Sequence, residues 1–200
     1  MPAMHKRHFL GTATAATLST ITAAASAQNA PANARGPTLL TVSGLIGAGN
    51  RGPFDPALDQ MMAKQKLAFS KAQAFDFAAL TALPAVTIHP TLEYDSKPHA
   101  LKGPLLSDVM KACGVVVSAK TSYLLRAVDG YAVLLSATQA SQRKFIVATH
   151  LDGRPMALGG LGPLWTVFDA DRFADMAAKP VAERFSLCPW ATYSIDVKET

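Results

Sequence analysis

TSYLLRAVDGYAVLLSA, residues 121–137, is the stretch that decides the fold class. Two runs of apolar and β-type residues flank Asp129-Gly130, a pair preferred in two-residue hairpin turns, so the stretch reads as an antiparallel hairpin. Downstream, KFIVATHLDGRPMAL (144–158) reads as a strand to about His150 followed by a second Asp-Gly turn at 152 and 153. WTVF (165–168) is another strand, DADRFADMAA a short helix, and ATYSIDVKE (191–199) a closing strand. Upstream, LKGPLLSDVMKACG (101–114) is expected to be helical, with Pro104 at its start, Leu105, Leu106, Val109 and Met110 on one face, and Gly114 as its stop. AVTIHPTL (85–92) and TLLTVSGLI (38–46) carry strand chemistry, and ALDQMMAKQKLAF (57–69) reads as an amphipathic helix after a turn-rich segment. Asp76 opens a further short helix that Pro84 ends. Short helices scattered among many strands imply an α+β fold with a mixed, largely antiparallel β-sheet or flattened barrel, not a doubly wound parallel sheet.

The first 27 residues read as an export signal. His5, Lys6, Arg7 and His8 form a basic start, Phe9–Ala25 is uncharged, and Ala25-Ser26-Ala27 is a small-x-small cleavage site. Lys6-Arg7-His8-Phe9-Leu10 resembles a degenerate twin-arginine signal, with Lys for the first Arg, which leaves both export routes open. The expected location is periplasmic, with residues 28–37 a linker and 38–200 a single domain. Without Lys6 and Arg7 the net charge falls from +5 to about +3. No run of Lys or Arg interleaved with aromatics remains, so no nucleic-acid partner is expected. Cys113 and Cys188 sit in no metal-type spacing; a disulfide and two free thiols are both open.

The chain lacks a GxSxG elbow, a P-loop, an HExxH pair and a CxxC cluster. Of His89, His99 and His150, only His150 is a candidate site residue, by its place at a strand end before a turn. LGGLGPLWTVF (158–168) places a glycine loop before Trp165, Tyr94 follows a strand, and Arg126 and Arg143 are read as cations within otherwise apolar strands. Such a set suits a slot for a flat heterocycle. Trp165 would stack the ring and Tyr94 would line the slot. Backbone N–H groups of Gly160 and Gly162, with His150, Arg126 or Asp129, would bond its edge. For Trp165 the alternative is core packing; for Arg126, a solvated strand face.

The order LTVSGLI, Asn50-Arg51-Gly52, FDFAALTALP, TIHPTLEY, LKGPLLSDVMKACG, AVDGYAVLL, ATHLDGRPMAL and GLGPLWTVF resembles the molybdopterin-binding domain of the sulfite oxidase family. It also resembles the family's small exported single-domain members, of oxidoreductase-like or pterin-binding type, over residues 38–198. The resemblance implies a mixed α+β domain and a pterin ligand. Catalytic members carry a molybdenum-binding cysteine in the loop that is PTLEYDSKPHALKG here, which has none. Enzyme members also tend to have His-Gly-x-Pro-Leu-Arg where this chain has Leu161-Gly162-Pro163-Leu164-Trp165, so a forked phosphate contact gives way to an aromatic face. The leading expectation is an exported, non-catalytic binding protein for a pterin or similar heterocycle that passes the binding event to a membrane-bound signalling partner. The alternative is a molybdopterin-dependent oxidoreductase with a redox partner. A third reading is a structural or interaction module that has lost its ligand and docks a partner through residues 47–71, with the Met61-Met62 pair.

Overall fold

The computed structural model describes residues 36–200; the expected signal segment and most of the linker lie outside them. In chain order the strands are β1 Leu40–Gly44, β2 Ala72–Phe75, β3 Ala85–Ile88, β4 Leu101–Pro104, β5 Thr121–Ala127, β6 Ala132–Ser136, β7 Ile146–Ala148, β8 His150–Leu151, β9 Arg154–Pro155, β10 Trp165–Val167 and β11 Thr192–Glu199. The helices are α1 Gln60–Lys64, α2 Phe77–Thr81, α3 Leu106–Ala112, α4 Ala137–Gln142 and α5 Ala174–Ala177. The fold is α+β with mostly antiparallel sheets and few short helices.

A five-stranded sheet runs β2-β1-β11-β5-β6, with β1 and β11 parallel and the other pairs antiparallel. A four-stranded sheet runs β3-β4-β8-β9, and β10 pairs with β7. Among the described residues the strands are thus divided among open sheets, ending at β2 and β6 in the largest, and do not close into a flattened barrel. Alternation explains the packing: Tyr123, Leu125 and Ala127 of β5 meet Ile195 and Val197 of β11 and Leu40 and Val42 of β1 on one buried face. The smaller sheets contribute Leu101, Ile146, Val147 and Trp165 to the same core, joined by Leu164 and Phe168 on either side of β10.

Local chemistry sets several boundaries. The Asp76 carboxylate accepts from the Ala79 N–H, capping α2 as the sequence implies. Asp152 and Gly153, with φ of 49° and 78°, form the two-residue turn between β8 and β9. The β5–β6 hairpin differs in detail. Ala127 C=O accepts from Gly130 N–H and Ala127 N–H donates to Tyr131 C=O, making a three-residue loop with Gly130 at φ 93°.

Three expected helices are shorter than the sequence pattern: in 169–178 the chain makes a 3-10 turn at Ala170–Arg172, Phe173 is extended, and only α5 is α-helical. The segment 101–114 begins as β4, because Leu101–Pro104 pairs with β3, and Leu101 and Lys102 with β8; the helix starts at Leu106. Gly103 is required there: a Cβ would lie 2.0 Å from the Val147 carbonyl oxygen. In 57–69 only α1 is helical, since Lys66 turns left-handed at φ 59° and Phe54 N–H returns to the Phe69 carbonyl. Among the described residues no helix is long and apolar enough to cross a membrane.

Candidate functional site

The glycine loop is laced to the segment before β11. Ala191 N–H donates to Leu161 C=O at 3.0 Å and Thr192 N–H to Leu164 C=O at 2.9 Å. Thr192 Oγ1 accepts from the Thr166 N–H and donates to Pro189 C=O, and Ala191 adopts φ 49°. These bonds fix Pro189–Thr192 and leave the Trp190 indole at the surface, 38% exposed.

Trp190 is shared by two neighbouring hollows. One, of about 590 Å³, is lined by Tyr94, Trp190, Val128, Leu161 and the Gly159–Gly160 backbone. The other, of about 300 Å³, is lined by Glu93, Asp129, Tyr131, Phe185 and Trp190. Neither lining contains Lys or Arg. Asp129 Oδ1 accepts from Tyr131 N–H, which orients its carboxylate, and Tyr131 Oη donates to Ser186 C=O at 2.7 Å. Partial burial pushes the Tyr94 phenol up to about 12, and the Glu93 carboxylate beside it adds to the rise. Tyr94 is therefore a neutral donor at physiological pH.

The sequence-based site is only partly brought together. Tyr94, Gly160 and Asp129 line these hollows. Trp165 does not: it is 1% exposed, its Nε1 donates to Cys188 C=O at 2.9 Å, and its ring packs on Phe185 at 5.8 Å. It belongs to the core, because β10 pairs with the buried strand β7, and Trp190 takes the exposed place. The Gly160 N–H is directed at Ala157 C=O (3.3 Å). Gly162 is buried where a Cβ would lie 2.4 Å from Met156 Cβ, so it is a packing glycine and not a ligand donor. His150 lies elsewhere, its ring against Phe77 at 5.4 Å and Nδ1 2.8 Å from Thr149 Oγ1. Arg126 faces Ser194 and Ala132 within the five-stranded sheet. Arg143 is in no strand; it closes α4 and forks onto Asp175. The signal for Trp190 was a Cys-Pro-Trp turn just before a strand, which spacing could not rank above Trp165.

The cysteines are free and buried. Burial pushes the Cys113 thiol up to about 12 and raises that of Cys188, so neither offers a thiolate. Among the described residues, no three His, Cys, Asp or Glu side chains gather as a metal cage.

The loop bearing Glu93 and Tyr94 is clamped by His99. Its Nδ1 lies 2.7 Å from Asp152 Oδ2 and its Nε2 3.0 Å from Asp95 Oδ2. The Asp152 and Asp95 hydrogen bonds raise the His99 pKa and lower those of both carboxylates. The clamp's stabilisation from His99 is complete below the unfolded histidine value of about 6.5 and is lost as pH rises through the raised folded value. The carboxylate part is present above about 4 and is lost as pH falls through the lowered values. Thermal melts should show wild type exceeding His99→Asn most between those limits, with the gap closing above neutrality; a gap independent of pH would show that the clamp is not ionic.

No family model matches the chain, and no curated protein matches it in sequence.

Proposed function

We propose that the chain is an exported, non-catalytic binding protein of sulfite oxidase-like fold that takes an unphosphorylated pterin or similar flat heterocycle and relays occupancy to a membrane-bound signalling partner. The observation that carries this reading is the pairing of an aromatic hollow, Tyr94 and Trp190, with an adjoining carboxylate hollow, Glu93 and Asp129, that shares Trp190. A pterin has a π-face for the aromatics and an amino-pyrimidinone edge whose two N–H donors match a carboxylate. The resemblance of the ordered motifs to small pterin-binding proteins points the same way.

The lining does not fit a molybdopterin. That cofactor brings a phosphate, and the hollows offer two carboxylates and no Lys or Arg to meet it. Its metal is anchored in the family by a thiolate, and the thiols here are buried and protonated.

Titration of the full chain with a fluorescent pterin should give saturable quenching. The pair Glu93→Gln and Asp129→Asn should weaken it roughly ten- to hundredfold, the worth of a charged hydrogen bond. Absence of saturable quenching sinks the reading, and an unchanged affinity in the pair of variants sinks the carboxylate assignment.

A further inference from the structure

Among the described residues the four-stranded sheet ends at β3, which pairs with β4 alone. In an antiparallel pair, alternate N–H and C=O groups of an edge strand point away from the neighbour and lack a strand partner. Ala85, Val86 and Thr87 are exposed, Val86 at 37%. β3 has neither bulge nor lysine to blunt pairing; its protection is shortness, with Pro84 before it and Pro90 after it.

A cleft of about 590 Å³ runs along Val86–Ile88, away from Trp190. Leu105, Phe145 and Phe173 give it apolar surface, and Arg143, Lys144 and Arg172 give it positive charge. Arg143 is neutralised by Asp175 and lies 4.8 Å from the Phe173 ring centre. Asp175 lies outside the lining; the acid within it, Asp169, has Oδ2 facing the His89 N–H at 3.4 Å, and its buried Oδ1 makes no hydrogen bond among the described residues. Lys144 and Arg172 are exposed and form no ion pair among the described residues. A free strand edge, an apolar cleft beside it and two uncommitted cations thus occur together.

We infer that β3 is a docking edge for a short, extended, acidic segment of a partner protein, which adds to the sheet as a strand with apolar side chains in the cleft and carboxylates near Lys144 and Arg172. Main-chain bonds supply affinity in this mode, and the side chains supply selection. The four residues of β3 set the length of the added ladder. This docking does not depend on the heterocycle reading, and Trp190→Ala leaves it intact.

The test uses the full chain and a capped octapeptide of alternating Glu and Val, followed by calorimetry. A second peptide carries N-methyl groups at alternate residues, and a third has Lys for Glu. Saturable binding is expected for the first, weakened at least roughly tenfold by N-methylation, which removes ladder donors, and is not expected for the Lys peptide. The double variant Lys144→Glu/Arg172→Glu should reverse the preference to the Lys peptide. No binding up to about 1 mM, indifference to N-methylation or indifference to charge overturns the inference. So does sedimentation showing a dimer that Thr87→Pro dissolves, since the edge would then belong to a second copy.

Discussion

Trp165→Ala should cost the fold about 3–5 kcal/mol, the range for removing a large buried aromatic. The ring is enclosed, packs on Phe185, and donates its N–H to Cys188 C=O. Its loss opens a cavity between β10 and the segment before β11 and leaves a buried carbonyl without its donor. A domain of this size is stable by about 5–15 kcal/mol, so the variant should lose much of its resistance to urea. Trp165→Phe keeps most of the apolar area and should fall between the two. The measurement is the urea midpoint at constant slope; a cost below about 1 kcal/mol would mean that the ring is not part of the core.

Trp190→Ala should do the reverse. The indole is partly exposed and shared by both hollows, so truncation leaves no closed cavity, and stability should change by less than about 1 kcal/mol. Pterin binding should weaken by about 2–4 kcal/mol, roughly thirty- to thousandfold, as for a central aromatic anchor. Tyr94→Phe should weaken it less, since it removes the hydroxyl and keeps the ring. Binding unchanged in Trp190→Ala would move the ligand away from this face altogether. Measured together, the two tryptophans separate fold from recognition, which neither variant does alone.

Local features were legible in the sequence because they depend on neighbours. The Asp76 cap, the Asp152-Gly153 turn, the β5–β6 hairpin and the closing strand are each written in a few adjacent residues. Features that depend on distant partners were not. β4 lies in a segment with a helical pattern because β3 and β8 claim its backbone, and its glycine is packed against β7. The choice between Trp165 and Trp190 turns on the hydrogen bonds joining 161–164 to 191–192, which no spacing rule reports. His99 was passed over as a lone histidine; its partners are four residues before it and 53 residues after it. Glu93 and Asp129 are likewise brought to one hollow only by the fold.

The parallel pairing of β1 with β11 sets the order of assembly. Ser43 and Asp196 are 153 residues apart and lie in adjacent central strands, joined by a hydrogen bond. As the chain is synthesised from its N-terminus, β1, β2, β5 and β6 all emerge before the strand that belongs between them. Hairpins can form early, but the middle of the sheet stays vacant until residues 192–199 arrive. Such long-range closure is slow compared with local pairing. A ribosome-bound intermediate should therefore remain protease-sensitive in β1 through most of translation, and deletion of the last strand should unzip the sheet at its centre instead of trimming its edge.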